Sequence, residues 1–375
     1  MSGLGGSNPL AYTRAYIDLG RLRANYGIIA GLSKAERLIC VLKADAYGCG
    51  AVACAKALYE CGARYFAAAH IDEAVELRKT LGKGCMIIIL GSTQPEYADW
   101  LAEYDITQTI YSLGYAKDLA KHLGPRRIKA HIKADTGMNR IGFSCDGKGA
   151  DEAAAAARLG CFDIQGTFSH LACADDPSSD LTDRQISRFE GFVSALKDRG
   201  VDPGARHICA SSGIIRCPQA HFDMTRPGVI LYGMQPSDTM EDIRKLGLMP
   251  VMRLESRIVA LHTVKAGETV SYGGTWRADK DTLVATLPIG YGDGFVRAYS
   301  GMTVEIGGEK CPIIGRVCMD QCMVDVTGLD VELFDAVGVF TDSNPVEDFA
   351  RHAGTITYEC TCLLNSRIPR IYTDR

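Results

Sequence analysis

The chain has 375 residues, a length that fits two domains or one large barrel with an appended domain. Its 41 Lys+Arg against 45 Asp+Glu leave a formal net charge of −4, which excludes a broad basic footprint for nucleic acid or an anionic membrane surface. A hydrophobic content of 47% is that of a folded chain, and the longest uninterrupted aliphatic run, Met86–Leu90, is far short of the ~20 residues of a membrane-spanning helix.

Residues 1–10, beginning Met1-Ser-Gly-Leu-Gly-Gly-Ser-Asn, read as a flexible start or expression remnant outside the fold, with no secretory signal. Short apolar runs follow at Leu38–Lys43, Tyr65–His70, Cys85–Leu90, Ile106–Tyr111, Ile128–Ala134, Asp163–Ser169, Ala205–Ala210 and Met224–Tyr232. Each is nearly continuously hydrophobic and bounded by turn or capping residues, as buried parallel strands are. Amphipathic stretches at Ala51–Cys61, Asp72–Leu81, Leu113–His122 and Leu181–Arg199 alternate with them, and Asp72 ahead of Glu73-Ala-Val-Glu-Leu-Arg78 reads as an N-cap. This α/β alternation predicts a (β/α)8 TIM barrel over residues 11–244. From about residue 245 the texture changes to strands between Gly-rich turns: Leu254–Val264, Leu283–Leu287, Met302–Ile306, Pro312–Val326, Ala336–Thr341 and Thr355–Ile371, with one helix near Val346–His352. That predicts a mainly β C-terminal domain over 245–375.

Fifteen cysteines, an odd number spread from Cys40 to Cys362, read as core thiols in a reducing compartment. Neither Cys318-x3-Cys322 nor Cys360-x-Cys362 has the spacing of a structural zinc site, and no metal is expected. Gly142-Phe-Ser-Cys-Asp-Gly147-Lys148-Gly149 has the spacing of a phosphate loop but puts Gly where a magnesium-binding hydroxyl is needed, so it reads as a solvated turn.

In a parallel barrel the site lies at the C-terminal strand ends. There the runs place Lys43, Lys133 and Arg140, His170, Ser211 with Gly213, and Arg226 with Gly228. Five cationic or potentially cationic groups on one rim of a mildly acidic chain point to an anionic ligand. Strands seven and eight, with their Ser/Gly loops, are the usual phosphate site of this fold. A lysine at a buried strand end beside that site has two readings: a salt bridge to phosphate, or a Schiff base with pyridoxal phosphate.

Val41-Leu-Lys43-Ala-Asp-Ala-Tyr47-Gly-x-Gly50 resembles the cofactor-lysine motif of the alanine racemases, fold-type III pyridoxal phosphate enzymes. The resemblance continues through Lys133-Ala-Asp-Thr-Gly-Met-Asn-Arg140-Ile-Gly-Phe143, Thr167-Phe-Ser-His170-Leu-Ala172 and Arg226-Pro-Gly-Val-Ile-Leu-Tyr-Gly233. It extends to Val270-Ser-Tyr272-Gly-Gly-Thr275, Pro288-Ile-Gly-Tyr291-Gly-Asp-Gly294 and Gly315-Arg-Val-Cys-Met319-Asp320-Gln321. These motifs cover nearly the whole chain in order and are specific only together. The resemblance implies a head-to-tail homodimer in which each site joins one barrel mouth to the partner copy's C-terminal domain. It implies that Lys43 carries the cofactor and is one base, and that Tyr272 of the second copy is the other. Tyr47, Ser211 and the backbone of Gly228 and Val229 would hold the phosphate. Arg226 would bond the pyridine nitrogen with His170 beside it, and Arg140 would face the phenolic oxygen. Lys133 would be carbamylated, or would pair with Asp135 or another carboxylate. Met319 would offer its N–H to the substrate carboxylate, Arg140 would contribute to the same pocket, and Tyr291 would narrow the entrance.

Two bases suit a reaction that removes the Cα proton from one face and returns it to the other. A tyrosine in water, with pKa about 10, is ionised to only about 0.1% at pH 7, so a phenol base needs about 4 kcal/mol of phenolate stabilisation. Near the C-terminus the sequence departs from the family. Where a Ser-Tyr-Arg-x-Pro-Arg stretch is usual, this chain reads Leu364-Asn365-Ser366-Arg367-Ile-Pro-Arg370. Loss of the phenol at Asn365 enlarges the pocket and supplies an amide for a substrate hydroxyl, which predicts serine as a second substrate. In this the chain resembles the serine/alanine racemases, including the racemase domains of membrane-bound vancomycin-resistance proteins. The expected role is D-amino acid supply to cell-wall precursors in the cytoplasm, by a cytoplasmic protein or the cytoplasmic domain of a membrane-anchored one, with no nucleic-acid or membrane contact from this chain. Two alternatives stand beside it. A fold-type III decarboxylase would carry a Cys-Asp pair, which Cys318-Met319-Asp320 interrupts, and a non-enzymatic pyridoxal phosphate carrier would lack the β domain and Tyr272.

Overall fold

Each of the eight predicted barrel runs contributes a strand: Arg37–Val41, Tyr65–Ala68, Met86–Ile89, Thr107–Ile110, Ile128–Asp135, Phe162–Phe168, Ala205–His207 and Met224–Thr225. The structure, a computed structural model, describes residues 11–374, so the start expected to be flexible at 1–10 lies outside the described residues. The eight strands pair in parallel, with Met224–Thr225 beside Arg37–Val41 at one end of the order and Ala205–His207 at the other. An isolated parallel bridge between Ala210 and Arg226 nearly closes the ring. The apolar runs are continuous because the strands are buried on both faces: Ile39, Cys40, Ile87, Ile88 and Ile89 are all fully buried. Helices of 3.6-residue periodicity cover the outside. Leu181–Asp198 buries Gln185, Ile186, Phe189, Phe192, Val193 and Leu196 along one stripe.

Some expectations differ from the structure. Of Met224–Tyr232 only Met224–Thr225 is strand, because Pro227 has no N–H for a ladder, and Val229–Tyr232 is a short 3-10 turn. Asp72 is not an N-cap: the helix is Ile71–Leu81, His70 stands at the cap position and no side chain caps it. The Gly142–Gly149 segment is not a turn throughout. Phe143–Ser144 is a short strand, and the helix Gly147–Ala157 begins inside the segment, capped by Asp146 accepting from the Gly149 N–H at 2.7 Å.

The chain divides into two compact units. One holds Leu22–Ala46 and Ala51–Leu248; the other takes the described residues up to Arg21, Tyr47–Gly50 and the described residues from Met249 on. The expected barrel span of 11–244 thus includes two pieces that group with the β unit. The physical reason for the first is a strand the sequence reading did not assign, Arg14–Asp18, which pairs antiparallel with Met252–Arg257 and parallel with Arg370–Thr373. The sheet of that unit runs in the order Ala260–Val264, Thr282–Leu287, Cys322–Asp325, Glu309–Ile314, Thr303–Ile306, Ala336–Phe340, Met252–Arg257, Arg14–Asp18, Arg370–Thr373. Val264, Val270, Ala278, Val284 and Ile314 form a core cluster under Trp276 and Met323. The strand expected over Thr355–Ile371 is instead a helix, Thr357–Cys362, followed by the strand Arg370–Thr373. Among the described residues no helix is long and apolar enough to cross a membrane, and none of the fifteen cysteines forms a disulfide.

Candidate active site

Lys43 follows the strand Arg37–Val41, and the backbone beyond it turns left-handed. Ala44, Asp45 and Ala46 have φ of 52°, 51° and 54° with ψ near 50°, and Tyr47 follows at φ 57°. Each such non-glycine residue costs about 1–2 kcal/mol, so the run needs external support. Ala46 N–H donates to Leu42 O at 2.8 Å, Ala44 N–H to Glu73 Oε1 at 2.7 Å, and Ala51 N–H to Asp45 Oδ1 at 2.7 Å.

Arg226 stands across the closing bridge and is only 2% exposed. Its Nη1 donates to His207 Nδ1 at 2.7 Å, while Nη2 serves Ser169 O at 2.7 Å, Ile208 O at 3.0 Å and His170 Nδ1 at 3.1 Å. A guanidinium only donates, so both histidines accept at Nδ1 and carry their hydrogen on Nε2. His207 Nε2 lies 2.8 Å from His131 Nδ1 and therefore donates to it. Phe168 stacks on the His207 ring at 4.8 Å with planes 3° apart. Opposite His131 stands Gly166, where a Cβ would come within 2.6 Å of His131 Cε1 and 2.7 Å of Ala205 O. Only glycine admits that ring, at a point where strand register shifts between Ala130 and His131.

Charge on this rim is mostly positive, with Asp135 opposing it at Lys133. Burial, then Arg226, push His131 down to about 3. His170 is held well below its ordinary value by burial first, then by Arg226, Lys133, Arg140 and Lys43. Lys43, Lys133, Arg140 and Arg226 thus all act on one histidine. Lys133, 5% exposed, is lowered to about 7 by burial, then by Arg226 and Arg140. Its ammonium stands 4.5 Å from the Phe168 ring centroid. Among the described residues it makes no ion pair with Asp135, whose carboxylate instead accepts from the N–H groups of Gly137 and Asn139 at 3.0 Å each. The pairing of Lys133 with Asp135 is thereby corrected: the turn toward Arg140 takes that carboxylate. Ser211 Oγ accepts from Gly228 N–H at 3.1 Å and Ile230 N–H at 3.5 Å, bringing Ser211 and the backbone of Gly228 and Val229 into one buried pocket.

The β unit carries a second cluster, described by itself. Tyr272 is 70% exposed on a turn led by Ser271 in a left-handed conformation. Ser271 Oγ donates to Arg316 O at 2.6 Å and lies 3.4 Å from Cys318 Sγ. Tyr291 N–H donates to Cys318 O at 3.0 Å and Gly292 N–H to Met319 O at 2.7 Å, so Tyr272, Tyr291 and Met319 ride on interlocked turns. A Cβ at Gly290 would lie 2.3 Å from Cys318 O, which requires glycine there. Asn365 joins them: its Nδ2 donates to Gly292 O at 2.8 Å and its Oδ1 accepts from Arg367 N–H at 3.0 Å. Tyr47, in the same unit, packs edge-on to Tyr358 at 6.1 Å, and burial pushes its phenol up, so it stays protonated.

Four residues with structural claims on the site were missed in the sequence. His131 and His207 are polar interruptions of apolar runs, and His131 sits two residues before Lys133 on the same strand face; that alternation was the available signal. Gln185 is fully buried on its helix; its Nε2 donates to His170 O and Thr136 Oγ1, both at 3.0 Å, and its Oε1 accepts from Ala172 N–H at 2.8 Å. Glu73 looked like part of a helix start and gave no signal.

The residues present fit a phosphorylated pyridine cofactor. Among the described residues Arg226 uses only its two terminal nitrogens and leaves Nε unengaged, and the Ser211 hydroxyl hydrogen has no protein acceptor. One is a donor for a ring nitrogen and the other a donor for a phosphate. Lys43, just past a strand end, would be the nucleophile toward it.

Comparison with known proteins converges on the same reading. Residues 17–236 match the family profile described as "Alanine racemase, N-terminal domain" and residues 251–372 that described as "Alanine racemase, C-terminal domain". "Alanine racemase 1" of Clostridium acetobutylicum is 41% identical over 366 residues, covering 96% of this chain and 94% of its own. The alanine racemase of Clostridium novyi is 40% identical over 367 residues, with 96% and 94% covered. Among solved structures, the alanine racemase of Clostridium difficile 630 superposes with a TM-score of 0.91 at 36% identity, covering 97% of this chain and 96% of its own. That of Bacillus anthracis with bound L-Ala-P gives 0.91 at 30% identity, with 97% and 96% covered. With both profiles matched in order and relatives of this identity over nearly the full length, the chain belongs to the alanine racemase family.

Proposed function

We propose that this chain interconverts L- and D-alanine with pyridoxal phosphate, using Lys43 and Tyr272 as bases on opposite faces of the substrate. The observation that carries the reading is Arg226: a fully buried guanidinium whose terminal nitrogens are consumed by the protein while Nε is left over. When bound, the cofactor withdraws electrons from the substrate Cα and acidifies its proton. Ser211, Gly228, Val229 and Tyr47 would hold the phosphate, and Arg226 would donate to the ring nitrogen. A cationic donor there disfavours ring protonation, which limits electron withdrawal and suppresses transamination. Lys43 Nζ takes the proton on one face, and Tyr272 Oη of a second copy returns it on the other. His170, fixed by Arg226 as an Nε2–H donor, is suited to stabilise that phenolate. Arg140 and the Met319 N–H receive the substrate carboxylate, and Tyr291 narrows the approach. The homodimer is supported by Tyr272, Met319 and Tyr291, three large apolar side chains at 70%, 53% and 43% exposure on one cluster of turns. A D-alanine supply for cell-wall precursors in the cytoplasm is the corresponding role.

Chiral analysis after incubation with L-alanine and pyridoxal phosphate tests the activity, with evolved CO2 as the sign of a decarboxylase instead. The two-base assignment predicts that Tyr272→Ala abolishes solvent-deuterium exchange into one enantiomer far more than into the other. Equal mild loss in both directions would overturn it.

Serine is proposed as a second substrate because Asn365 replaces the family's bulky phenol and keeps one amide hydrogen beyond its bond to Gly292 O. The likeness to vancomycin-resistance racemase domains belongs to this reading. Asn365→Tyr is expected to lower kcat/KM for serine at least tenfold relative to alanine, about 1.4 kcal/mol of discrimination. Negligible serine turnover by the unaltered chain refutes the idea.

A further inference from the structure

We propose that Glu73 is the positioning residue for Lys43, acting through the backbone N–H of the residue that follows it. This rests on the reading of Lys43 as the cofactor lysine.

Glu73 lies in the first turn of the helix Ile71–Leu81, where a carboxylate ordinarily serves its own helix. Here both of its hydrogen bonds go elsewhere. Oε2 accepts from Ala69 N–H at 2.8 Å, just past the strand Tyr65–Ala68, and Oε1 accepts from Ala44 N–H at 2.7 Å, just past the strand Arg37–Val41. These strands are parallel neighbours, with Val41 opposite Ala67, and the rung beyond is Leu42 N–H to Ala67 O at 2.8 Å. After that rung the first strand turns left-handed and has no further strand partner. Glu73 supplies the next acceptor. Lys43 is thereby bracketed by two fixed residues, Leu42 on the sheet and Ala44 on Glu73, and the direction in which its side chain leaves the strand is set from both sides.

The chemistry is specific to a carboxylate of this length. Two N–H donors need two acceptor oxygens, and an amide offers one oxygen and a mismatched NH2. Aspartate keeps both oxygens one methylene short. The run it supports contains no glycine among Ala44, Asp45, Ala46 and Tyr47, so it has no intrinsic preference for the conformation it holds.

The test compares two cofactor forms on the purified apo chain. Pyridoxal phosphate condenses with a lysine; pyridoxamine phosphate has the same ring and phosphate and cannot. Binding is followed by the visible absorption band for the first and by protein fluorescence for both. E73Q and E73A are expected to weaken pyridoxal phosphate binding at least about tenfold, the effect of losing a charge-assisted hydrogen bond, and to leave pyridoxamine phosphate binding unchanged. E73D is expected to recover part of the loss, and E76Q, an exposed carboxylate on the same helix, to match the unaltered chain. E73Q binding pyridoxal phosphate normally overturns the proposal, as does equal loss of both ligands. Failure of E73Q to fold overturns it too, since the carboxylate would then hold the barrel and not one lysine. An unaltered chain that binds neither ligand overturns the cofactor reading itself, a result distinct from a silent E73Q.

Discussion

Arg226 donates from Nη1 to Nδ1 of His207 over 2.7 Å, and that bond fixes the hydrogen positions of two histidines at once. His207 must accept at Nδ1, so it donates from Nε2 to His131 Nδ1. A second bond from the same guanidinium fixes His170 in the same way. The chain His131–His207–Arg226–His170 therefore carries one cation, with three neutral imidazoles held that way by burial and by Arg226.

Acid sensitivity follows from the sign of these shifts. All three histidines titrate below their unfolded value of about 6.5, so above pH 6.5 they are neutral in both states. As pH falls below 6.5 the unfolded chain takes up protons that the folded chain refuses, and stability is lost toward the folded values, about 3 for His131. The slope approaches about 1.4 kcal/mol per pH unit for each histidine. Denaturant unfolding between pH 7 and pH 5 measures it, and His131→Asn is expected to remove one histidine's share. An unchanged slope in that variant contradicts the neutral assignment.

Gln185 links two loops of the rim from the outer helix, bonding the His170 carbonyl and Thr136, three residues beyond Lys133. Gln185→Leu keeps the size and strands the N–H of Ala172 and the His170 carbonyl, while Thr136 keeps its bond to Ser169. A loss of about 2–4 kcal/mol in stability is expected, since each stranded buried group costs about 1–3 kcal/mol and part of the loop relaxes. Because the loop carries His170, kcat is expected to fall more than KM changes. A variant with full kcat and reduced melting temperature would assign Gln185 to stability alone.

Lys133 near pH 7 is half unprotonated, and only an unprotonated amine adds CO2. Carbamylation would place two anionic oxygens where Arg226 and Arg140 both depress the ammonium. Intact mass under non-denaturing conditions is expected to show one added carboxyl group, lost in Lys133→Ala. The unmodified lysine also carries a linkage signature: unfolded at about 10.5 and folded at about 7, it costs stability progressively as pH falls between those values. Added bicarbonate is expected to raise the melting temperature at pH 8, and no effect speaks for a plain amine.

Arg226→Glu reverses the charge at the centre of the chain. Both histidine Nδ1 atoms lose their donor, and a carboxylate in that place favours their protonation. The expected outcome with bound cofactor is a larger fraction of turnovers ending in transamination, measured as keto acid released per alanine racemised. An unchanged product ratio refutes the role of the guanidinium in suppressing it.

The eight barrel runs, the polar residues Lys43, Lys133, Arg140, His170 and Arg226 near the strand ends, and the family itself were legible in the sequence. The reason is that continuous burial writes itself as continuous hydrophobicity, and strand ends are local. What tertiary structure alone decided lies in pairs far apart along the chain: Ala44 with Glu73, 29 residues on; Thr136 with Gln185, 49 on; His131 with His207, 76 on. No local pattern encodes such a bond. The left-handed run after Lys43 is written in Ala, Asp, Ala and Tyr without a glycine, and it is held by the Glu73 carboxylate on Ala44 N–H, the Leu42 carbonyl on Ala46 N–H and the Asp45 carboxylate reaching forward to Ala51 N–H. Thr355–Ile371 failed for a related reason: Thr357–Cys362 is short and β-prone in composition, and the fold makes it helical by burying Cys360 and Thr361. The sequence placed polar groups at the strand ends; packing decided which nitrogen of each histidine bears the hydrogen and which carboxylate accepts from the N–H beyond Lys43.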